Sequence, residues 1–319
     1  GFFTGIEEPK IHMKATISSN VLNIYLNAGL IFGTSGLQKV FADSIFPFNQ
    51  IPGLWSWTEF PSLGVKGAAI ATLISSVWMT THYALYLFSP KIKNQFGITK
   101  PSLKQKMLIR QIQLALPQGI QEMFVAVGWS FFYKIMGMIG LVELAATQVV
   151  FTIMHASFMP ALGVGQACST LVSKHMGEKR TEKAEKSIKE SIRFSEYIMG
   201  TMGMVFILFP NYILPVFTND PDVVRVGIVT LRLVGAIQFI DAVGFTLWFA
   251  LSGAGDTFFP AIVESVLVWF FLIPISYLTG VYLDAGYIGP WLVLSGHILL
   301  FAVIMVWRVL QGKWKEIEV

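Results

Sequence analysis

Residues 231–275 contain the stretch QFIDAVGFTLWFALSGAGDTFFPAIVESVLVWFFLIPI, a long apolar run broken once, by SGAGDT. Two apolar segments of this length joined by a tight polar turn suit a pair of membrane-spanning helices, each of about 20 residues. The rest of the chain repeats the pattern. Hydrophobic residues make up 54% and charged residues 13%, and mean hydropathy is +0.62, which excludes an ordinary soluble domain. Eight such runs are expected, at 15–34, 63–88, 114–138, 144–171, 193–217, 226–251, 258–280 and 286–309. They are continuous and do not alternate polar with apolar, so they read as helices rather than barrel strands. A helix also pairs its own backbone groups, as hydrocarbon demands.

Polar residues inside these runs are the candidates for function. Asp241 lies deep in its run, where a charge costs several kcal/mol or more and usually faces a cavity. Glu122 lies more than a turn inside the span that opens LALPQGIQEMF. Gln148 and His155 fall within the span at 144–171, where Pro160 and Gly163 are expected to bend the helix. An intramembrane His relays protons or satisfies a helix carbonyl. Asn23 and Asn27, four apart, share a face of the first span and can bond across helices. Aromatic residues Phe46, Phe48, Trp55, Trp57 and Phe60 crowd the loop at 35–62, as at a membrane–water interface. The single cysteine, Cys168, allows no disulfide framework and reads as a small packed residue.

The net charge of +4 is no nucleic-acid signal, because the basic residues sit in particular loops. Residues 89–110 carry Lys91, Lys93, Lys100, Lys104, Lys106 and Arg110 without an acid, and residues 172–192 carry six more bases. With Arg308, Lys313 and Lys315 of the tail they fall on one side of the membrane, the cytoplasmic one by the positive-inside rule. The loop TNDPD on the opposite side is acidic.

The chain also resembles itself. Thr4-Gly5 aligns with Ser252-Gly253 and Glu8 with Asp256, while Gly64 and Gly67 align with Gly286 and Gly289. Residues 1–95 therefore read as a copy of 249–319, a pattern found in transporters built from internal repeats. Residues 108–248 precede the second copy and have no counterpart before the first. The expectation is a piece of a longer protein of two six-helix lobes, with domains 1–95 (the last two helices of the first lobe), 96–110 (a basic cytoplasmic linker) and 111–319 (the complete second lobe).

The stretches NVLNIYLNAGLIFG, GVKGAAIATL, LPQGIQEMF, ELAATQVVFTIMHASFMPALGVGQA, QFIDAV and LSGAGDTFFPA resemble the multidrug and toxic compound extrusion (MATE) family, in its bacterial NorM-like and DinF-like branches. The resemblance covers nearly the whole chain and keeps the family's order. It implies an all-α membrane protein of two pseudo-symmetric six-helix bundles around a cavity. It also implies export of small organic, often cationic, compounds in exchange for sodium ions or protons, without an organic cofactor. Asp241 matches the carboxylate that takes part in cation coupling in NorM-like members. Glu122 stands where one group has its key glutamate; another has it a turn on, where this chain has Val125. Gln118, Gln148, His155 and Gln238 are candidates to line the cavity. The expected setting is the plasma membrane, as a monomer with a cytoplasmic C-terminus and no nucleic-acid partner. A flippase of lipid-linked precursors is the alternative within transport; it would want a basic cavity. A membrane-embedded enzyme or structural subunit is the alternative outside it, but no H-E-x-x-H, G-x-S-x-G or phosphate loop is present, and the five histidines are scattered in sequence.

Overall fold

A computed structural model describes residues 3, 6, 8–41, 53–55, 59–96 and 105–317, the side chains of 40, 41, 96, 110, 113, 114, 117 and 118 excepted. Every regular element among them is helical. The chain divides into two compact units, Gly1–Leu103 and Lys104–Val319.

In the first unit, α1 (Pro9–Phe41) pairs with α2 (Val65–Leu87), and α3 (Pro90–Phe96) follows. Helix α1 is interrupted at Gly33, whose φ of 71° and ψ of 164° leave helical geometry. A positive φ is cheap only for glycine. The break turns Thr34 N–H away from α1 to donate to Phe60 O at 3.2 Å. The carbonyls of Leu30 and Ile31 are thereby released, and they accept from Leu63 and Gly64. Trp55 is buried on α1, its ring 5.0 Å from Tyr25 and its Nε1 donating to Tyr25 O at 2.8 Å. The interfacial-anchor expectation therefore gives way to packing at Trp55. Phe46, Phe48 and Trp57 lie outside the described residues. Asn27 donates to Asn23 Oδ1 at 2.8 Å along the same helix, rather than across to another.

The second unit holds α4 (Gln105–Ile139), α5 (Leu141–Gly177), α6 (Thr181–Leu208), the short α7 (Pro210–Ile213), α8 (Pro221–Gly253), α9 (Phe258–Tyr282) and α10 (Ile288–Leu310). Helices α5, α8, α9 and α10 and the Gly119–Ile139 part of α4 are long and apolar enough to cross a membrane, and α6 joins them if counted with Pro210–Val216 across an 84° bend. Helix α8 is central and packs on α5, α6 and α10. Its start is set by Asp220, whose Oδ1 accepts from the N–H groups of Asp222 and Val223, with Pro221 at the first helical position. Its contact with α6 runs through Gly203 and Gly235, where a methyl on either would lie 2.6 Å from the other's carbonyl oxygen. Such small residues let helices approach where lipid offers no hydrophobic drive.

Helix α9 widens to π-helix at Leu267–Leu272 and Leu278–Tyr282, with Pro274 between them. Proline withholds one N–H from the ladder, and a local π adjustment accommodates it. Helix α5 runs on through Pro160. The turn SGAGDT ends α8: Gly255 has φ 88°, and Asp256 N–H donates to Leu251 O at 2.9 Å. Asp256 is buried and accepts from Arg308 Nε at 2.8 Å. Cys168 is fully buried, as its bland reading expects.

Candidate functional site

Helices α8, α9 and α10 bring three ionisable side chains together. Asp241 projects from the middle of α8 and is half-buried. Glu264 comes from α9, and His297, 3% exposed, from α10. His297 Nε2 lies 3.5 Å from Glu264 Oε1, and Asp241 interacts electrostatically with both. His297 Nδ1 has no hydrogen-bond partner among the described residues. The three do not close into a metal-ligand shell, and no such group of three is found among the described residues.

The surrounding polar bonds hold α8 in register. Gln238 lies one turn before Asp241 on the same face and is 1% exposed. Its Nε2 donates to Ser157 Oγ on α5 at 2.8 Å, while its Oε1 is unpartnered. Thr246 donates to Ser195 Oγ on α6 at 2.8 Å. Asp241 thus sits between two interhelical ties, on a helix whose rotation they fix. Chemically, the group is two carboxylates and one imidazole, with Glu264 paired to His297 and Asp241 on the neighbouring helix. When both are ionised the group carries excess negative charge, which a proton or a monovalent cation would neutralise.

The other candidates are not gathered here. Glu122 is exposed on α4 and makes no ion pair or hydrogen bond among the described residues. Gln148 is exposed on α5, and His155, also exposed, places Nδ1 3.0 Å from Phe151 O of its own helix. The side chain of Gln118 lies outside the described residues. Of the candidates whose side chains are described, only Asp241 and Gln238 share a neighbourhood.

A protein-family model, MatE, matches residues 119–278, which take in Asp241 and Glu264. The chain belongs to the MatE family. Among MatE relatives, a probable multidrug resistance protein NorM of Thermotoga maritima is 26% identical over 315 residues, covering 98% of this chain and 62% of its own length. The fold is that of solved MATE transporters. The eukaryotic transporter AtDTX14 matches with a TM-score of 0.79 at 18% identity, over 99% of this chain and 65% of that one. ClbM, solved in complex with Rb+, matches with a TM-score of 0.72 at 17% identity, over 98% and 64%. The chain therefore spans somewhat under two thirds of the length of these MatE proteins.

Glu264 and His297 are the residues that the sequence reading passed over. A signal for Glu264 was present: a carboxylate inside an apolar run, the same signal that singles out Asp241. His297 carried the same signal as His155, a histidine inside an apolar run, but only helix packing brings a residue of α10 beside one of α9.

Proposed function

We propose that this chain is the larger part of a secondary antiporter that exports small organic cations in exchange for a proton or a sodium ion. Asp241 is its coupling carboxylate, and Glu264 with His297 completes the site. The observation that carries the reading is one cluster, Asp241–Glu264–His297, carried within membrane-length helices with more negative than positive groups. The multidrug-resistance name of the Thermotoga relative and the Rb+ bound by ClbM support a drug-like cargo and a monovalent coupling ion.

In this mechanism, ion and cargo compete for the same excess negative charge. Occupancy by either biases the equilibrium between inward- and outward-facing states, by as much as its affinity differs between them. Residue Arg232 lies on the opposite side of α8 from Asp241, nine residues earlier at 100° per residue, and does not supply the missing counter-charge. The setting is the plasma membrane, with the basic loops cytoplasmic and the protein a monomer.

The test is efflux of a fluorescent organic cation from vesicles carrying the complete protein, under a sodium gradient and then a proton gradient. Asp241→Asn is expected to abolish transport under whichever gradient drives the wild type, and Glu264→Gln to lower it at least about tenfold, the worth of one partly buried charge interaction. Glu122→Gln is expected to leave coupling intact. Transport by Asp241→Asn equal to wild type under both gradients would overturn the assignment.

A further inference from the structure

A second region of the same unit holds charges that the transport reading does not use. Helices α5 and α6 run antiparallel from a tight turn and leave between them a groove of about 850 Å³. One face of each helix lines it. Its residues recur every three or four positions, from Pro160 to His175 on α5 and from Lys183 to Ile198 on α6. The groove changes character along its length. Near the α5–α6 turn it is lined by His175, Lys183 and Lys186. Further from the turn it is lined by Val164, Ala167, Leu171, Phe194 and Ile198.

The cations at the mouth are available. Lys183 and Lys186 are exposed and form no ion pair among the described residues. His175 Nδ1 is buried without a hydrogen bond there and faces Glu178 Oε2 at 3.6 Å, so the two lysines carry the free charge. The two nearest paired acids each hold an arginine outside the groove. Glu178 is 3.2 Å from Arg180, and the groove's own Glu190 is 3.0 Å from Arg193. From Lys186 to Ile198 the helix rises about 18 Å. The apolar part of α6 starts at Tyr197, after Glu196, and that of α5 ends at Val172, so the lysines sit outside the apolar span, on the side where the basic loops lie, and can reach down along their stems.

We propose that this groove binds one anionic phospholipid, its phosphate held between Lys183 and Lys186 and an acyl chain laid along the apolar floor to Ile198. The occupant follows from two complementarities that coincide. Unpaired positive charge meets the phosphate where lipid carries it, and an apolar channel follows where lipid carries its tail. Basic pockets between membrane helices recognise headgroups in this way. The site is separate from Asp241 and does not depend on the coupling reading.

The test is native mass spectrometry of the complete protein, released from vesicles of equal phosphatidylglycerol and phosphatidylcholine, counting the lipid that stays bound. The wild type is expected to retain phosphatidylglycerol preferentially. Lys183→Gln with Lys186→Gln is expected to lower that preference about thirtyfold, the worth of two lysines at an anionic surface. Lys189→Gln, in the same basic stretch but outside the groove, is expected to keep it. Ala167→Trp fills the floor while leaving the lysines, and is expected to displace the lipid. Equal retention of the two lipids by the wild type would overturn the proposal. So would a preference insensitive to the double lysine change, or lipid retention unaffected by Ala167→Trp, which would mean that the groove holds a headgroup-like anion without a tail.

Discussion

The α1–α2 pair of the first unit and the α9–α10 pair of the second are built on one plan and charged differently. In each, a glycine with positive φ precedes the second helix: Gly64 at 54° and Gly286 at 60°. Three residues on, each has a glycine pressed against the helix before it, Gly67 on Leu30 and Gly289 on Thr279. In each, an acid ahead of the first helix pairs with a base at the end of the second or just past it. Glu8 with Lys91 is 2.7 Å apart and largely exposed, whereas Asp256 with Arg308 is 2.8 Å apart at 8% and 19% exposure. The contrast is sharper inside. In the register that aligns Glu8 with Asp256, Glu264 falls on Thr16. In the register that aligns Gly67 with Gly289, His297 falls on Ser75. Where the second pair places a carboxylate beside an imidazole, the first places hydroxyls, and Ser19 donates to Ser75 O at 2.8 Å. The plan folds without the charges, so architecture does not require Glu264 and His297. Their retention at a cost in hydrocarbon favours a functional role.

The largest expected difference between the two pairs lies in their ion pairs. Arg308→Met strands Asp256 in a buried turn and is expected to cost about 3–5 kcal/mol, the penalty for breaking a buried pair. It also removes the guanidinium lying 4.5 Å over the Phe259 ring. Thermal unfolding of the complete protein in detergent, with Arg308→Met beside Lys91→Met, reads the difference. A similar loss from both would show that burial does not separate the two copies. The glycine contacts come next. Gly67→Ala drives a methyl into the backbone carbonyl of Leu30, which cannot yield without parting α1 from α2. It is expected to cost about 1–3 kcal/mol, in the range of overpacked sites. Gly289→Ala meets the Thr279 side chain first, at 2.9 Å, and is expected to cost less. The reverse order in the same melting series would break the equivalence of the two contacts.

The repeat was legible because it rests on glycine, and glycine marks backbone demands directly. Gly64, Gly67, Gly286 and Gly289 are visible as a spaced pair in two places, and the structure gives each pair the same two tasks. The membrane-length helices were legible through continuous hydropathy, which reports the solvent of each segment. Ends were less so. Helix α1 reaches from Pro9 to Phe41, past the expected 15–34, because a polar turn of helix carries no hydropathy signal. At the candidate site, Asp241 stood out by depth in its run. That its companions gather round it was not legible, since which helix faces lie beside α8 is decided by contacts such as Gly244 on Ala302 of α10, between residues far apart in sequence. The five scattered histidines illustrate the same limit. His297 is distant from Glu264 along the chain and 3.5 Å from it in space.

A matched pair of substitutions tests the shared plan at smaller amplitude. A methyl added at Gly64 or at Gly286 meets nothing within 4 Å, so Gly64→Ala and Gly286→Ala differ from wild type only in backbone strain. Each is expected to cost on the order of 1–2 kcal/mol, the strain of a positive φ in an L-residue, Gly64 at ψ −128° lying outside the left-handed helical region. Equal losses would confirm that the two turns are one device used twice. A loss at one position alone would confine the device to that copy.

The smallest effect is expected at Glu8–Lys91, and its sign follows from the charge. The hydrogen bond from Lys91, and then its positive charge, hold the Glu8 carboxyl below its ordinary value. A carboxyl lowered in the folded state adds stability above its unfolded pKa and loses it as pH falls through the folded one. The wild type should therefore melt slightly higher than Lys91→Gln at neutral pH, and the gap should close on acidification. The pair is open to solvent, so salt should close the gap as well. Melting both proteins from neutral pH down through the carboxylate range, at low and at high salt, measures this. A gap that persists at acid pH or in high salt would mean that Lys91 acts through packing rather than charge, and that the exposed pair of the first copy is closer in kind to the buried Asp256–Arg308 pair of the second.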